Sequence, residues 1–458
     1  MIRRGKIRTD DDAERAHDLV FQVAAVAFLV ASGMAFGIWV GPAMFGTHAW
    51  MIPGDIWVTQ RAAHIIAWGG EGILYQHSYG YITFPGAAVV LAPVAMLSSA
   101  LHLSESFPFS LPHPTAWFIL GPSEIALGSF VLFPLAAIAR RLDVPRARRL
   151  VLLALEVAVI WPATVLWGHP EDLVALGFGL YALMRARAGQ WKKSAVLMGL
   201  AILFQPLAVL LIPLAGAYIP WRKWLSAASV AIAPSILLLA TPLIHTFRTT
   251  LHNLVDQPTS PTVMHPTPWL ALAPVIRPGY TGLLGRWRKT GLGITFVNHS
   301  THFSASVAGG PSRLFAIFGA VAIGLFVARR RPSEPVLYWC AALSLSLRCV
   351  FESVTVEYYA IPTLAIALVI GANASRVRFA LVAISASACT VLSYFHLAPW
   401  AYYLPVTATL LGAVLLGLPR GAELMSAAGT AGHGDPGGIG SSRSVGELDR
   451  KPVAVAPA

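Results

Sequence analysis

The chain has 458 residues, 56% of them hydrophobic and 12% charged, with a mean hydropathy of +0.65. A soluble domain carries about a quarter charged residues, so this surface faces something other than water. The net charge of +12 would raise nucleic acid as a partner in a soluble protein. Here the basic residues gather in short runs between apolar blocks, so they read as membrane orientation signals and nucleic acid drops out.

Residues 1–18 are polar and basic, with Arg3, Arg4, Lys6, Arg8 and Arg15, and form a cytoplasmic N-terminal segment by the positive-inside rule. The apolar block 19–44 that follows is too long for a cleaved signal and no small-residue cleavage site stands out after it, so it is retained as an anchor. Crossings are predicted at 19–44, 117–139, 150–167, 172–186, 194–205, 207–219, 225–244, 313–328, 336–350, 358–373, 379–396 and 399–418. Between them lie Arg140-Arg141 with Arg146, Arg148 and Arg149; Arg185 and Arg187 with Lys192-Lys193; Arg222-Lys223; Arg329-Arg330-Arg331; and Arg376 with Arg378. One side of the membrane must hold all of these runs.

That requirement decides how 84–103 is read. A crossing there would put Arg140–Arg149 on the wrong side and break the parity of every later run. Pro85, Gly86 and Pro93 suit an interrupted, re-entrant or surface segment instead. The short pair 194–205 and 207–219, broken at Pro206, is a tight hairpin by the same logic. The predicted fold is therefore an all-α polytopic bundle of about 12 crossings occupying residues 19–420. Two long outer segments, 45–116 and 245–312, interrupt it, and the Gly-, Ser- and Ala-rich tail 421–458 is predicted to be disordered and cytoplasmic. Cys340, Cys349 and Cys389 fall in or beside apolar blocks without metal-ligand spacing and read as small buried hydrophobes.

The first outer segment opens on Pro53-Gly54-Asp55-Ile56-Trp57. Trp57, Ala62 or Ala63, Ile65 or Ile66, and Trp68 recur at helical spacing, which predicts an amphipathic helix on the membrane surface. Asp55 then stands where an N-cap or first-turn acid belongs, and is either a cap or a base at the mouth of the bundle. Gly168-His169-Pro170-Glu171-Asp172 packs three ionisable groups into a turn between spans. Such groups are costly toward lipid, so they either face a wet cavity or cap the next helix. Arg348, Glu352 and Glu357-Tyr358-Tyr359 close another outer turn, where tyrosines also suit an interfacial belt. Arg286, Arg288 and Lys289 in the late outer segment suit lipid phosphate or plain solvation. Histidines 252, 265, 299 and 302 lack metal-ligand spacing, so neither a metal site nor a cofactor is expected.

The succession along residues 19–420 resembles a known family. It runs from one span to an outer acid (Asp55), an amphipathic helix and Gly-rich turn ending at Tyr75, and a Pro-interrupted stretch (Phe84-Pro85-Gly86, Leu91-Ala92-Pro93). A span ending in Arg140-Arg141-Leu142 follows. It is similar to the GT-C superfamily of membrane glycosyltransferases, most of all the polyprenyl-phosphomannose-dependent mannosyltransferases of bacterial envelopes.

That resemblance implies a polyprenyl-phosphate-sugar donor, a glycolipid or glycan acceptor, and an active site on the extracytoplasmic face of a bacterial plasma membrane. It makes Asp55 the catalytic base. It suggests substrate-lining roles for Glu357 and Tyr359, and the residues themselves add His169, Glu171, Asp172, Gln205, Arg286, Arg288 and Arg348 as candidate substrate-binding residues. The chain departs from the family in two places. Gly54 stands where a second acid is common, and Gln205-Pro206 stands where a basic residue often precedes proline. The rival reading is a secondary transporter or lipid flippase working through Glu124 and Glu156, two acids within predicted spans.

Overall fold

The computed structural model describes residues 3–76, 81–105, 111–255, 286–290, 293–297, 310–352, 355–394 and 399–419. The predicted tail 421–458 and the histidines at 265, 299 and 302 lie outside the described residues.

The described chain is helical apart from one hairpin. Helix α1 (Arg3–Ala35) continues through a wide π turn, Phe36–Val40, into α2 (Gly41–Phe45). The polar N-terminal segment is therefore not separate from the first span. No glycine or proline interrupts residues 6–32, so nothing stops the helix at the polar–apolar boundary. Helices α3 (Gly54–Ala67) and α4 (Gly86–Ala100) follow, then α5 (Trp117–Gly128) and α6 (Leu132–Arg141), joined by a short 3-10 turn. After them come α7 (Arg146–Trp161), α8 (Pro170–Arg187), α9 (Trp191–Phe204), α10 (Ile212–Gly216), α11 (Trp224–His245) and α12 (Phe247–Val255). Strands β1 (Arg286–Thr290) and β2 (Gly293–Val297) pair antiparallel. The chain closes with α13 (Gly310–Arg330), α14 (Glu334–Phe351), α15 (Ile361–Asn373), α16 (Arg376–Leu392) and α17 (Pro399–Leu416).

Five of the described helical stretches are long and apolar enough to cross a bilayer: Glu14–Phe45, Trp117–Arg141, Arg146–Trp167, Trp221–His245 and Glu334–Phe351. Exposed Leu225, Leu237, Ile244, Phe318 and Ile384 leave an apolar outer surface that suits lipid rather than water. The protein is thus built as an integral membrane protein. Its innermost helix is α15, whose residues from Ile361 to Ala372 are all buried. A helix apolar all round belongs at the centre of the bundle.

The basic runs meet at one end. Arg140 pairs with Asp18 at 3.2 Å, and Arg141 and Arg187 share Glu334 at 2.6 and 3.2 Å. Arg148 donates to the carbonyls of Ala372 and Ala374, at the end of α15, and Arg378 to Leu416 at the end of α17. Arg187 and Arg331 flank the ring of Tyr218. Arg148 and Arg378 thereby satisfy carbonyls at the ends of neighbouring helices, which have no partner within their own helix.

The outer segment gathers at the opposite end. A Cβ on Gly86 would stand 2.7 Å from the Leu203 carbonyl oxygen, so only glycine lets α4 begin against the end of α9. The far end of α4 leads to Leu103, which packs with Ile56, Trp57 and Trp117 at the starts of α3 and α5. Both ends of α4 therefore lie at the end of the bundle away from the basic runs, as the parity argument requires of 84–103. The chain also reverses at Gln205: α9 arrives from the basic end, and Pro206–Gly216 returns to Tyr218 there.

This polarity predicts opposite labelling of two exposed positions. In sealed vesicles, cysteines placed at His48 and Arg146 should react with an impermeant maleimide from opposite sides. The native cysteines are buried and should give little background. Labelling of both from one side would contradict the arrangement.

Candidate active site

Asp55 occupies the first turn of α3, after Pro53 as N-cap, and no side chain caps this helix. The cap reading of Asp55 therefore fails, although the helix N-terminus still favours its negative charge. Its carboxylate reaches a turn between α7 and α8. There the chain widens into a π turn, Pro162–Trp167, and leaves it through Gly168 at φ +69°. A Cβ at Gly168 would fall 2.5 Å from Ile56 Cγ1 and 2.9 Å from Pro53 Cβ. Glycine is required on both counts, the left-handed backbone and the close approach. That approach sets His169 against the start of α3.

His169 lies between two carboxylates. Its Nε2 is 2.8 Å from Asp55 Oδ2 and its Nδ1 is 2.8 Å from Glu171 Oε1. With His169 raised to about 10, both ring nitrogens carry protons and donate to these carboxylates, as an imidazolium does. Burial opposes that charge, but the Glu171 carboxylate, the hydrogen bonds to Asp55 and Glu171 and the Asp55 charge outweigh it, raising His169 from 6.5 to about 10. The Tyr358 ring stacks on the imidazole, centroids 4.0 Å apart and planes within 22°, an arrangement that suits a cation over an aromatic face. Asp55 remains 59% exposed while Glu171 is 3% exposed. The histidine thus joins an open carboxylate to a buried one.

Beside this trio runs a second chain of charge. Asp172 Oδ1 is 3.4 Å from Arg348 Nη1, and Arg348 sits over Tyr359, its Cζ 3.4 Å from the ring centroid. Arg348 also faces Glu352 at 3.9 Å, one helical turn away, and Glu352 accepts from Arg313 Nε at 2.8 Å. Gln205, at the end of α9, approaches Asp172. Gln205, Arg313, Arg348, Glu352 and Tyr359 line a cavity of about 230 Å³ whose other walls are apolar, including Leu207, Leu210 and Ile317. Tyr358 and Tyr359, edge to face at 5.2 Å, link the two chains of charge.

The sequence-predicted residues therefore divide. His169 and Glu171 join Asp55 directly, Gln205, Arg348 and Tyr359 line the adjoining cavity, and Asp172 pairs with Arg348. Glu357 is buried elsewhere, within electrostatic reach of Tyr394 and Tyr402. Arg286 and Arg288 fall on β1, and their side chains lie outside the described residues. Of the two intramembrane acids, Glu124 is buried within electrostatic reach of Glu171 and His169. Glu156 sits toward the basic end in a small cavity with Asp18, Gln22 and Arg149.

Three participants have no site role in the sequence reading. Tyr358 is equally suited to an interfacial belt, and nothing in the sequence reveals its stacking on His169. Glu352 carries a usable signal in its i,i+4 spacing from Arg348. Arg313, at the polar start of a predicted span, pairs with a residue 39 positions away that sequence spacing does not announce.

No family model matches this chain, and a comparison with curated proteins finds no match.

The raised His169 value fixes the sign of a pH effect. Its ion pairing stabilises the fold in full below about pH 6.5, weakens above that, and is lost as pH passes about 10. Thermal unfolding in detergent should show wild type losing stability relative to His169→Gln across this window. Parallel curves for the two proteins would rule out the doubly bonded imidazolium.

Proposed function

We propose that this protein is a membrane glycosyltransferase of the GT-C type, with Asp55 as general base. It moves a sugar, mannose or another envelope sugar, from a polyprenyl-phosphate donor to a glycolipid or glycan acceptor. The observation that carries the reading is the exposed Asp55 carboxylate, oriented through His169 and Glu171, beside an arginine-bearing cavity with apolar walls. An exposed carboxylate meets an acceptor hydroxyl arriving from water, while apolar walls and a guanidinium suit a lipid phosphate.

The chemistry follows from these positions. Asp55 takes the proton of an acceptor hydroxyl as that oxygen attacks the anomeric carbon, inverting it. The bond from that carbon to the phosphate oxygen breaks, and polyprenyl phosphate departs as an anion. Arg348, with Arg313 behind Glu352, supplies positive charge for the leaving phosphate, as catalysis by preorganised charge requires. Only Oδ2 of Asp55 is engaged by His169, and Oδ1 is the atom assigned to the proton. Glu171 Oε2 is buried without a hydrogen-bond partner in the protein, a group that substrate or water would satisfy.

The proposed orientation puts the basic end in the cytoplasm and this site on the extracytoplasmic face of a bacterial plasma membrane. The apolar stretches are then assigned about 12 crossings, with the shorter helices spanning inside the bundle. The transporter reading draws on Glu124 and Glu156, but these acids lie in different surroundings, and Glu124 neighbours the residues assigned here to catalysis.

Transfer assays with several radiolabelled polyprenyl-phosphate sugars and purified protein test the proposal. Asp55→Asn is nearly isosteric and should keep the fold while slowing transfer by about 10²–10⁴-fold, the usual worth of a general base. Glu71→Gln, in the 3-10 turn after α3, should transfer near the wild-type rate. Wild-type rates in Asp55→Asn would remove Asp55 as the base.

A further inference from the structure

A second concavity lies in the half of the bundle toward the basic end. Helices α9, α10, α11 and α13 border a groove of about 410 Å³ lined by small and apolar side chains, among them Ala195, Met198, Ala228 and Leu325. One polar group interrupts that lining. Ser194 is 1% exposed, and its hydroxyl has no hydrogen-bond partner in the protein. A helical serine ordinarily bonds back to a carbonyl one turn earlier, and a buried hydroxyl left without any partner is costly.

Basic residues flank the groove in sequence. Three of its lining residues each adjoin a basic one: Ser194 follows Lys193, Trp224 follows Lys223, and Ala328 precedes Arg329. Lys192 and Lys223 converge from different segments on the ring of Trp191, 5.7 and 6.0 Å from its centroid. Among the described residues no carboxylate pairs with Lys192, Lys193, Lys223 or Arg329, and Glu334 at the same end is held by Arg141 and Arg187. Trp221 and Trp224 stand 73% and 56% exposed, as indoles do at headgroup level.

We propose that this groove binds an anionic phospholipid. One acyl chain lies along the alanine-rich lining, the phosphate meets Lys192 and Lys223, and Ser194 donates to a phosphate or ester oxygen. Charge complementarity selects the occupant. An isoprenoid tail matches the apolar lining but leaves the flanking basic residues and the serine hydroxyl unanswered. A phosphatidylcholine brings its own cation against those residues. The assignment does not rest on glycosyl transfer.

Native mass spectrometry tests it, on the full-length protein released from nanodiscs containing equal amounts of phosphatidylglycerol and phosphatidylcholine. Wild type should retain one phosphatidylglycerol with about tenfold preference over phosphatidylcholine, equivalent to about 1.4 kcal/mol. Lys192→Gln combined with Lys223→Gln should abolish the preference, and thermal unfolding should stay unchanged because both side chains are on the surface. Ala228→Phe, at an exposed position of the lining, should expel the lipid from a protein that still unfolds at the wild-type temperature. Equal retention of both lipids by wild type would overturn the proposal. So would polyprenyl phosphate retained in place of phosphatidylglycerol, or undiminished retention in both variants.

Discussion

Two carboxylates hold one imidazolium at the end of the bundle opposite the basic runs, and the arrangement of that end follows from the contact. Burying a histidine cation is unfavourable unless opposite charge and hydrogen bonds accompany it. Asp55 and Glu171 supply both at 2.8 Å. The pairing ties the start of α3, a helix at the mouth of the bundle, to the turn between α7 and α8. Removing one member of a buried ion pair typically costs about 3–5 kcal/mol, because the survivors stay charged and unpaired. Asp55 is more than half exposed, so its loss is buffered by water, whereas loss of Glu171 is not. The same contact thus separates the two acids, one buried and the other open to solvent.

The basic end works by a different rule. Its arginines bind helix-terminal carbonyls and a few acids, as Arg148 does at Ala372 and Ala374 and Arg378 does at Leu416. In a membrane, a helix C-terminus left without partners is expensive, so these cations cap helices as well as orienting the chain. Where they bind neither a carbonyl nor an acid among the described residues, as at Lys192 and Lys223, the positive charge remains available to a lipid. The bundle is therefore polar along its length, with fixed cations at one end and a hydrogen-bonded acid–histidine–acid trio at the other.

Much of this was legible in the sequence. Charge parity, with Pro85, Gly86 and Pro93, favoured a non-crossing reading of 84–103, since basic runs share a side whatever the packing. The dense turn Gly168–Asp172 announced itself by its cost toward lipid, and Asp55 by its position after the first span. What the sequence could not supply was the pairing among them. Asp55 and His169 are 114 positions apart, and only the close approach permitted by Gly168 brings them together. Glu357 looked equivalent to Tyr359 as a lining residue, yet the short 3-10 turn holding both sends them to different surroundings. Arg313 and Tyr358 acquire their roles only through helix neighbours that one sequence does not reveal.

A double-mutant cycle on sugar transfer tests the central claim, that His169 acts through Asp55, most directly. Single-turnover rates would be measured for wild type, Asp55→Asn, His169→Gln and the double variant, with the polyprenyl-phosphate sugar that supports transfer. If the histidine serves only to orient and hold the base, the double variant should be no slower than Asp55→Asn alone. If the two losses multiply instead, His169 and Asp55 act independently, and the account of one coupled base is wrong.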